Sequence, residues 1–222
     1  MVKFKINNKE VQGNKEDTIW KIAKLNGINI PHLCHSDEVG YKPDGNCRAC
    51  VVQVKGERTL TASCIRKPVE GMEITTNCDA AKESQKIIFE LLEADQPDRE
   101  RHPDSDSKFW NWFDKVEAEA NTFPKIKNIS CDISHPSMQV NLEACMNCNL
   151  CVRACREVQS NDVIGMANRG YNSKVIFDFD DEMGDSTCVG CGECVQACPT
   201  GALMEKSLLD DNGVRETGHK RN

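Results

Sequence analysis

The sequence predicts an α+β fold in which a helical connector joins two cysteine-bearing modules. Residues 1–78 alternate strand and helix patterns, residues 80–92 carry the apolar spacing of a helix, and residues 140–204 contain a repeated cysteine motif. The domain boundaries that follow are 1–78 and 140–204 for the modules, 79–139 for the connector, and 205–222 for a polar tail.

The first module begins with a hairpin. Val2, Phe4 and Ile6 alternate with polar residues, which is the period of a half-buried strand. Asn7–Asn8 provide a turn into a second short strand near Val11.

A helix and further strands complete this module. Thr18 caps a helix whose apolar residues recur at helical spacing and which ends at Asn26–Gly27. Short strands are predicted at 50–54, 59–63 and 71–74. A hairpin, a helix, a cysteine-rich loop and returning strands are together typical of a β-grasp module.

The connector combines a helix, a charged segment and an aromatic cluster. Ile87, Ile88, Leu91 and Leu92 form one face of a helix over 80–92. Residues 94–108 are charged and contain prolines, so we expect a solvated loop there. For the aromatic cluster that follows, burial in the core is favoured over a partner-binding patch; its members are Phe109, Trp110, Trp112 and Phe113.

Composition narrows the class of protein. The 222 residues include 28 basic and 35 acidic side chains, for a net charge of -7, which argues against nucleic acid or an anionic membrane as a partner. No segment approaches the roughly 20 apolar residues of a membrane span. The amino terminus has no apolar signal core, so we expect a cytoplasmic protein. In a reducing compartment, 14 cysteines at short regular spacings indicate metal binding over disulfides.

The strongest signal is a repeated motif in the second module. The pattern C-x2-C-x2-C-x3-C occurs twice, the second time followed by Pro199, and it is the motif of bacterial two-cluster ferredoxins. In such a motif the fourth cysteine binds the other cluster. One [4Fe–4S] cluster is therefore assigned to Cys145, Cys148, Cys151 and Cys198, and the second to Cys188, Cys191, Cys194 and Cys155. Zinc would leave each fourth cysteine without a role.

The first module carries a different set of four cysteines. Cys34, Cys47, Cys50 and Cys64 are spaced C-x12-C-x2-C-x13-C, which differs from the plant-type pattern. Four cysteines on the loops of a β-grasp module suit a [2Fe–2S] cluster, in which each iron takes two thiolates; a four-cysteine zinc site is the alternative. Gly45 gives the loop backbone room to approach the cluster.

These motifs resemble a known family of iron–sulfur proteins. The first module is similar to the [2Fe–2S] domain of the large iron–sulfur subunit of respiratory NADH dehydrogenase, of the diaphorase small subunit of NAD-linked hydrogenases, and of NAD-linked molybdenum or tungsten formate dehydrogenases. The resembling segments are Pro31–His35, Gly45–Cys50, Ala62–Cys64 and Gly71–Met72. The second module resembles the formate dehydrogenase branch most, at 148–159, 161–165, 177–180 and 191–198. The resemblance covers roughly residues 1–92 and 138–212.

One departure from the family concerns the connector. The family usually carries a His-x3-Cys-x2-Cys-x5-Cys segment that binds a further [4Fe–4S] cluster, whereas residues 93–130 contain His102 and no cysteine. We therefore expect that cluster to be absent. Cys78 and Cys131 have no assigned cluster, and each is expected to be a small buried residue.

The sequence contains no candidate catalytic residues. No G-x-G-x-x-G follows a strand, so flavin and NAD(P) are expected on a partner subunit. Residues 201–210 resemble the linker that leads into the molybdopterin domain of formate dehydrogenases, and the sequence ends 12 residues later. We therefore expect the catalytic centre on a separate, molybdopterin-type subunit, and no enzyme activity is assigned to this chain alone.

The histidines have weaker signals. His32 and His35 flank Cys34, and two interpretations stay open: a hydrogen bond to the cluster rim that couples reduction to a proton, or loop residues without a redox role. His102 and His135 each precede a proline and are expected in turns.

Three functions are compatible with these observations. The first is the electron-transfer subunit of a formate dehydrogenase-type complex. The second is the equivalent subunit of an NAD-linked hydrogenase or another low-potential reductase. The third is a free soluble carrier or an assembly and redox-sensing module. Whichever function holds, the tail over 205–222 has little apolar content and is expected to be a mobile end or a docking arm.

Overall fold

The computed structural model of the protein describes residues 1–125 and 130–215. The chain divides into two compact units. The first consists of Met1–Asp37, Lys42–Glu90 and Trp112–Glu119; the second of Glu38–Tyr41, Leu91–Asn111 and the described residues from Ala120 onward. Both contain helices and strands, and the predicted α+β class is confirmed.

The first unit contains a five-stranded sheet. Its strands are β1 (Val2–Ile6), β2 (Lys9–Gly13), β3 (Val51–Val54), β4 (Thr61–Ala62) and β5 (Glu73–Thr75), in the order β2-β1-β5-β3-β4. The predicted hairpin is present, with β1 antiparallel to β2 and parallel to β5. Asn7 and Asn8 make its turn in the left-handed region, which asparagine tolerates better than most residues.

Helix α1 (Ile19–Leu25) packs against this sheet. The Thr18 side chain accepts a hydrogen bond from the Lys21 N–H at 3.3 Å, as the predicted cap requires. Ile19, Ile22 and Ala23 are almost fully buried in the same hydrophobic core as the inward-facing side chains of β1 and β3.

Thr18→Ala is expected to lower the free energy of unfolding by about 1 kcal/mol, because the variant leaves a helix donor without its side-chain acceptor. Chemical denaturation followed by circular dichroism measures this. The exposed Thr59 provides the matched control, since Thr59→Ala removes the same atoms without removing a cap. An equal loss in the two variants would contradict the assigned role of Thr18.

The connector contains α2 (Asp79–Glu93), a 3-10 turn (Arg99–Arg101) and α3 (Lys108–Lys115). The expectation that residues 94–108 form a solvated loop is wrong, because several polar side chains of this segment are buried. His102 is fully buried and Asp104 is 1% exposed. The buried groups pair with one another and with distant residues, which offsets the cost of removing them from water.

His102 is a fully buried residue that leads into the turn expected from the sequence. Its Nδ1 accepts the Asp104 N–H at 3.1 Å, so the Nε2 carries the proton and donates to the Gln96 Oε1, also at 3.1 Å. The ring also meets the edge of Trp110, with 5.6 Å between centroids. His135 lies where a turn is expected, and its Nδ1 accepts the Ser137 N–H.

The aromatic cluster of the connector is mostly buried, which supports the core-packing interpretation. Phe109, Trp110 and Phe113 are at most 6% exposed. Trp112 is half-buried, and the ring centroids of Trp112 and His32 lie 6.0 Å apart.

The second unit is built from two small antiparallel sheets and two short helices. The strands are β6 (Met138–Val140) paired with β9 (Leu203–Glu205), and β7 (Ile164–Ala167) paired with β8 (Lys174–Phe177). The helices are α4 (Leu150–Arg153), which continues as a π-helical turn (Ala154–Val158), and α5 (Glu193–Ala197). The cysteine motifs lie at these two helices.

The polar tail is packed over its described part, contrary to the expectation of a mobile end or docking arm. Arg215 makes a bridge with Leu209, and its side chain forms an ion pair with the buried Asp104 at 2.9 Å. The Arg215 N–H also donates to the Pro103 carbonyl oxygen. Residues 216–222 lie outside the described residues. Within the described part of the chain, every helix is too short or too polar to cross a membrane.

Candidate metal centres

The first unit brings together the four cysteines predicted to hold the [2Fe–2S] cluster. Cys34, Cys50 and Cys64 are at most 1% exposed, and Cys47 is half-buried. The Cys34 N–H donates to the Cys47 sulfur at 3.4 Å, and the Cys47 N–H donates to the Cys34 sulfur at 3.3 Å. Backbone donors of this kind stabilise negative charge on sulfur, which suits thiolate ligands.

The pKa values of these thiols show how closely they lie. Hydrogen bonds from the thiols of Cys47 and Cys64 hold the pKa of Cys34 far below its usual range. The same contacts, together with burial, raise the pKa values of Cys47 and Cys64. Four thiolates at this spacing would repel one another, so the set favours a positively charged metal group among the sulfurs.

The loop from Cys34 to Cys50 has three residues with positive φ, which are Gly40, Gly45 and Arg48. Gly45 has φ of 66°, and a Cβ there would lie 2.9 Å from the Ile65 Cδ1. Arg48, between Cys47 and Cys50, has φ of 61°, where a residue with a side chain is uncommon. A side chain at position 45 would be strained by its φ and would meet Ile65; the role of Gly45 in the approach of the backbone to a cluster stays a prediction.

The two cysteine motifs of the second unit share one backbone conformation. Asn147 and Asn149 in the first motif have φ of 54° and 65°, and Gly190 and Gly192 at the same positions of the second have φ of 69° and 77°. The Asn147 N–H donates to the Cys145 sulfur at 3.4 Å. The Gly190 N–H donates to the Cys188 sulfur at the same distance. The sequence repeat is therefore also a structural repeat.

The fourth cysteine of each motif lies near cysteines of the other motif, and Cys198 also lies near Cys194 of its own motif. Burial raises the pKa of Cys151 well above its usual value, and nearby Cys148, Cys145 and Cys198 raise it further. A small cavity is lined by the fourth cysteine of the first motif together with the three leading cysteines of the second, which are Cys155, Cys188, Cys191 and Cys194.

The donor sets fit iron–sulfur clusters. In the described part of the chain, no three His, Cys, Asp or Glu side chains converge tightly enough to hold one metal ion. A cluster has several iron atoms in the space between the thiols, and each cysteine set supplies four thiols to bind them. Burial, followed by the charges of Cys188 and Cys191, raises the pKa of Cys194 to about 12. A sulfur that binds metal must be deprotonated, and bound cations favour that form.

The two histidines beside Cys34 pack against an aromatic ring. The Trp20 ring lies 4.3 Å from His32 and 4.6 Å from His35, measured between centroids. His35 is 5% exposed, and the His32 Nδ1 lies 3.2 Å from the Ile30 carbonyl oxygen. Both interpretations of these histidines stay predictions.

Cys78 and Cys131 differ from the buried residues expected from the sequence. Cys131 is exposed and Cys78 is half-buried.

Cys131→Ser and Cys78→Ser are expected to leave the iron content unchanged, because neither thiol belongs to a set of four. Iron and acid-labile sulfide assays on anaerobically prepared protein measure this. Loss of iron in either variant would show that a ligand has been assigned wrongly.

Three residues near the repeated motifs were not identified from the sequence. The Tyr41 hydroxyl donates to the Glu193 Oε1 at 2.9 Å, and Arg153 is buried between Cys151 and Cys155. Tyr41 and Glu193 are 152 positions apart, and no spacing pattern relates them.

Comparison with known proteins supports both modules. Residues 1–79 match the family described as a 2Fe-2S iron-sulfur cluster binding domain, and residues 144–202 match the 4Fe-4S dicluster domain. The predicted cofactors, one [2Fe–2S] and two [4Fe–4S] clusters, are confirmed at the level of these domains.

Longer relatives extend this similarity to nearly the whole chain. An NADP-reducing hydrogenase subunit of Solidesulfovibrio fructosivorans is 28% identical over 94% of this chain. A putative formate dehydrogenase of Bacillus subtilis is 30% identical over 96%. The chain spans only 37% and 22% of the length of these two relatives.

A solved structure shows the same arrangement of elements. A chain in the crystal structure of an NAD+-reducing [NiFe]-hydrogenase in the H2-reduced state matches with a TM-score of 0.82 and 25% identity, covering 93% of this chain and 88% of that one. The protein therefore carries a [2Fe–2S] domain followed by a two-[4Fe–4S] dicluster domain, and its homologues include NAD(P)-linked hydrogenase subunits, subunits of NADH-quinone oxidoreductases and formate dehydrogenase-like proteins.

Proposed function

We propose that this chain passes single electrons between a flavin- and NAD(P)-binding subunit and the catalytic centre of an oxidoreductase complex. The observation that carries the proposal is that the two cysteine motifs converge, since Cys198 lies near both Cys151 and Cys194, and Cys155 lines one cavity with Cys188, Cys191 and Cys194. This arrangement provides adjacent sites for two clusters, as electron relay requires.

In this proposal each cysteine set holds one cluster. When bound, the clusters supply reversible one-electron chemistry. The [2Fe–2S] ligands are Cys34, Cys47, Cys50 and Cys64. The ligands of the first [4Fe–4S] cluster are Cys145, Cys148, Cys151 and Cys198, and those of the second are Cys188, Cys191, Cys194 and Cys155. The chain's own contribution is to bury most of these cysteines from water, although Cys191 is exposed, and to donate backbone N–H groups to several of the sulfurs.

The finer proposal is a formate dehydrogenase-type complex with a molybdopterin catalytic centre. The resemblance at 148–198 and the Bacillus subtilis relative named a putative formate dehydrogenase support it. An NAD-linked hydrogenase is the second candidate, and the hydrogenase chain with a TM-score of 0.82 favours it.

Elemental analysis of the native assembly tests these proposals. The chain is tagged in its own host and purified anaerobically, and iron, molybdenum, tungsten, nickel and flavin are quantified together. Molybdenum or tungsten in stoichiometric amount, with flavin, is the expected result. Nickel with flavin would select the hydrogenase candidate. A monomer that contains iron alone would contradict the proposal of a complex and indicate a free carrier.

A further inference from the structure

The two halves of the cysteine repeat differ at the first position of their helices. Leu150 begins α4 and precedes Cys151, whereas Glu193 begins α5 and precedes Cys194. The Leu150 side chain is 2% exposed, and Glu193 is half-buried. The second motif therefore carries a carboxylate on the residue that precedes a proposed cluster ligand, at the position where the first motif has hydrocarbon, and its partner Tyr41 lies near Cys194.

The Glu193 carboxylate has a specific partner outside the repeat. The Tyr41 hydroxyl donates to its Oε1 at 2.9 Å, and the Tyr41 side chain is only 9% exposed. Burial and the Glu193 carboxylate raise the pKa of Tyr41, so its hydroxyl stays protonated and remains a donor. The neighbouring Gly40 packs on Val158, where an added Cβ would lie 3.2 Å from the Val158 Cγ2. Tyr41 is thus held in place by packing as well as by the hydrogen bond.

We propose that Tyr41 and Glu193 together set the reduction potential of the second [4Fe–4S] cluster. The inference rests on the proposed ligand sets. An added electron makes a cluster more negative, so a carboxylate beside a ligand opposes reduction. A hydrogen bond that a hydroxyl donates to that carboxylate disperses its negative charge, so it offsets part of the unfavourable effect on reduction. Glu193 therefore lowers the reduction potential of the second cluster. Tyr41 raises that potential indirectly, through its hydrogen bond to Glu193, and is a positioning residue.

The test is an anaerobic redox titration of the whole chain, followed by electron paramagnetic resonance. The signal of the second cluster is identified as the one that Cys188→Ala removes. Glu193→Gln is expected to raise the midpoint potential of this signal, and Tyr41→Phe is expected to lower it. Neither variant is expected to change the iron content or to move the first [4Fe–4S] signal by a comparable amount.

Two further variants separate this role from general effects of charge and packing. Glu182 is an exposed carboxylate six residues before Cys188. Glu182→Gln removes the same charge as Glu193→Gln, but solvent screens that charge, so the midpoint potential is expected to stay unchanged. In the double variant, Tyr41→Phe is expected to add little to Glu193→Gln, because the charge on which Tyr41 acts has gone.

The outcomes distinguish this inference from the proposed function. The inference is overturned if the two single variants shift the potential in the same direction, or if Tyr41→Phe has its full effect without Glu193. It is also overturned if both [4Fe–4S] signals shift equally. A wild-type protein without two [4Fe–4S] signals would overturn the ligand assignment itself, and the inference with it.

Discussion

Cys198→Ala is expected to remove the same [4Fe–4S] cluster that Cys148→Ala removes, although Cys198 belongs to the other motif. The reason is the position of Cys198 beside Cys151 and its neighbours. Either variant should lose about four iron atoms, the content of one such cluster. The free energy of unfolding should fall when the cluster is lost, because cluster binding contributes to the stability of the fold.

Iron analysis and electron paramagnetic resonance of reduced protein check this pairing. Cys155→Ala and Cys188→Ala are expected to remove the other [4Fe–4S] signal and to leave the first in place. Cys131→Ala is the matched control, since it removes an exposed thiol. If Cys198→Ala and Cys188→Ala abolished the same signal, each motif would hold its own cluster and the crossed assignment would be wrong.

Trp110→Ala is expected to lower the free energy of unfolding by about 3–5 kcal/mol, the usual cost of truncating a large buried aromatic side chain. Trp110 is 2% exposed and packs against the rings of His102 and Phe109, whose centroids lie 5.6 Å and 5.0 Å away. Its truncation would leave a cavity in the buried part of the connector and remove the ring contact that helps to hold His102.

Chemical denaturation under anaerobic conditions measures this loss. Phe179 is 96% exposed, so Phe179→Ala removes an aromatic ring that is already in water and is expected to change stability little. Equal losses in the two variants would mean that the connector contributes no core of its own and that its aromatic cluster is not structural.

The sequence predicts the first module well because its signals are local. The alternation of Phe4 and Ile6 with polar residues shows which side chains of β1 face the core, and Thr18 marks the start of α1. Each signal spans only a few residues, and the long-range packing agrees with it. The cysteine sets are similarly visible, because spacing and residue type together point to clusters.

The connector is where sequence reasoning is wrong, and the reason is physical. Its charged composition favours solvent exposure, but burial depends on whether each charge finds a partner. Asp104 pairs with Arg215, which lies 111 positions away, and the buried Glu93 pairs with Lys125 at 2.9 Å. No local pattern reveals such pairs.

The polar surroundings of the metal sites are hidden for a similar reason. The spacing of the motifs identifies the proposed ligands, but the residues that adjust their environment come from elsewhere in the chain. Tyr41 lies between Cys34 and Cys47 in the sequence. Only the fold brings its hydroxyl to Glu193, the residue before Cys194.

The central claim is that this chain holds one [2Fe–2S] and two [4Fe–4S] clusters on twelve of its 14 cysteines. Mössbauer spectroscopy of anaerobically prepared protein enriched in a detectable iron isotope tests it most directly. The account predicts about one fifth of the iron in a [2Fe–2S] cluster and about four fifths in [4Fe–4S] clusters. Zinc in place of iron in any of the three cysteine sets, or a single type of cluster throughout, would contradict it.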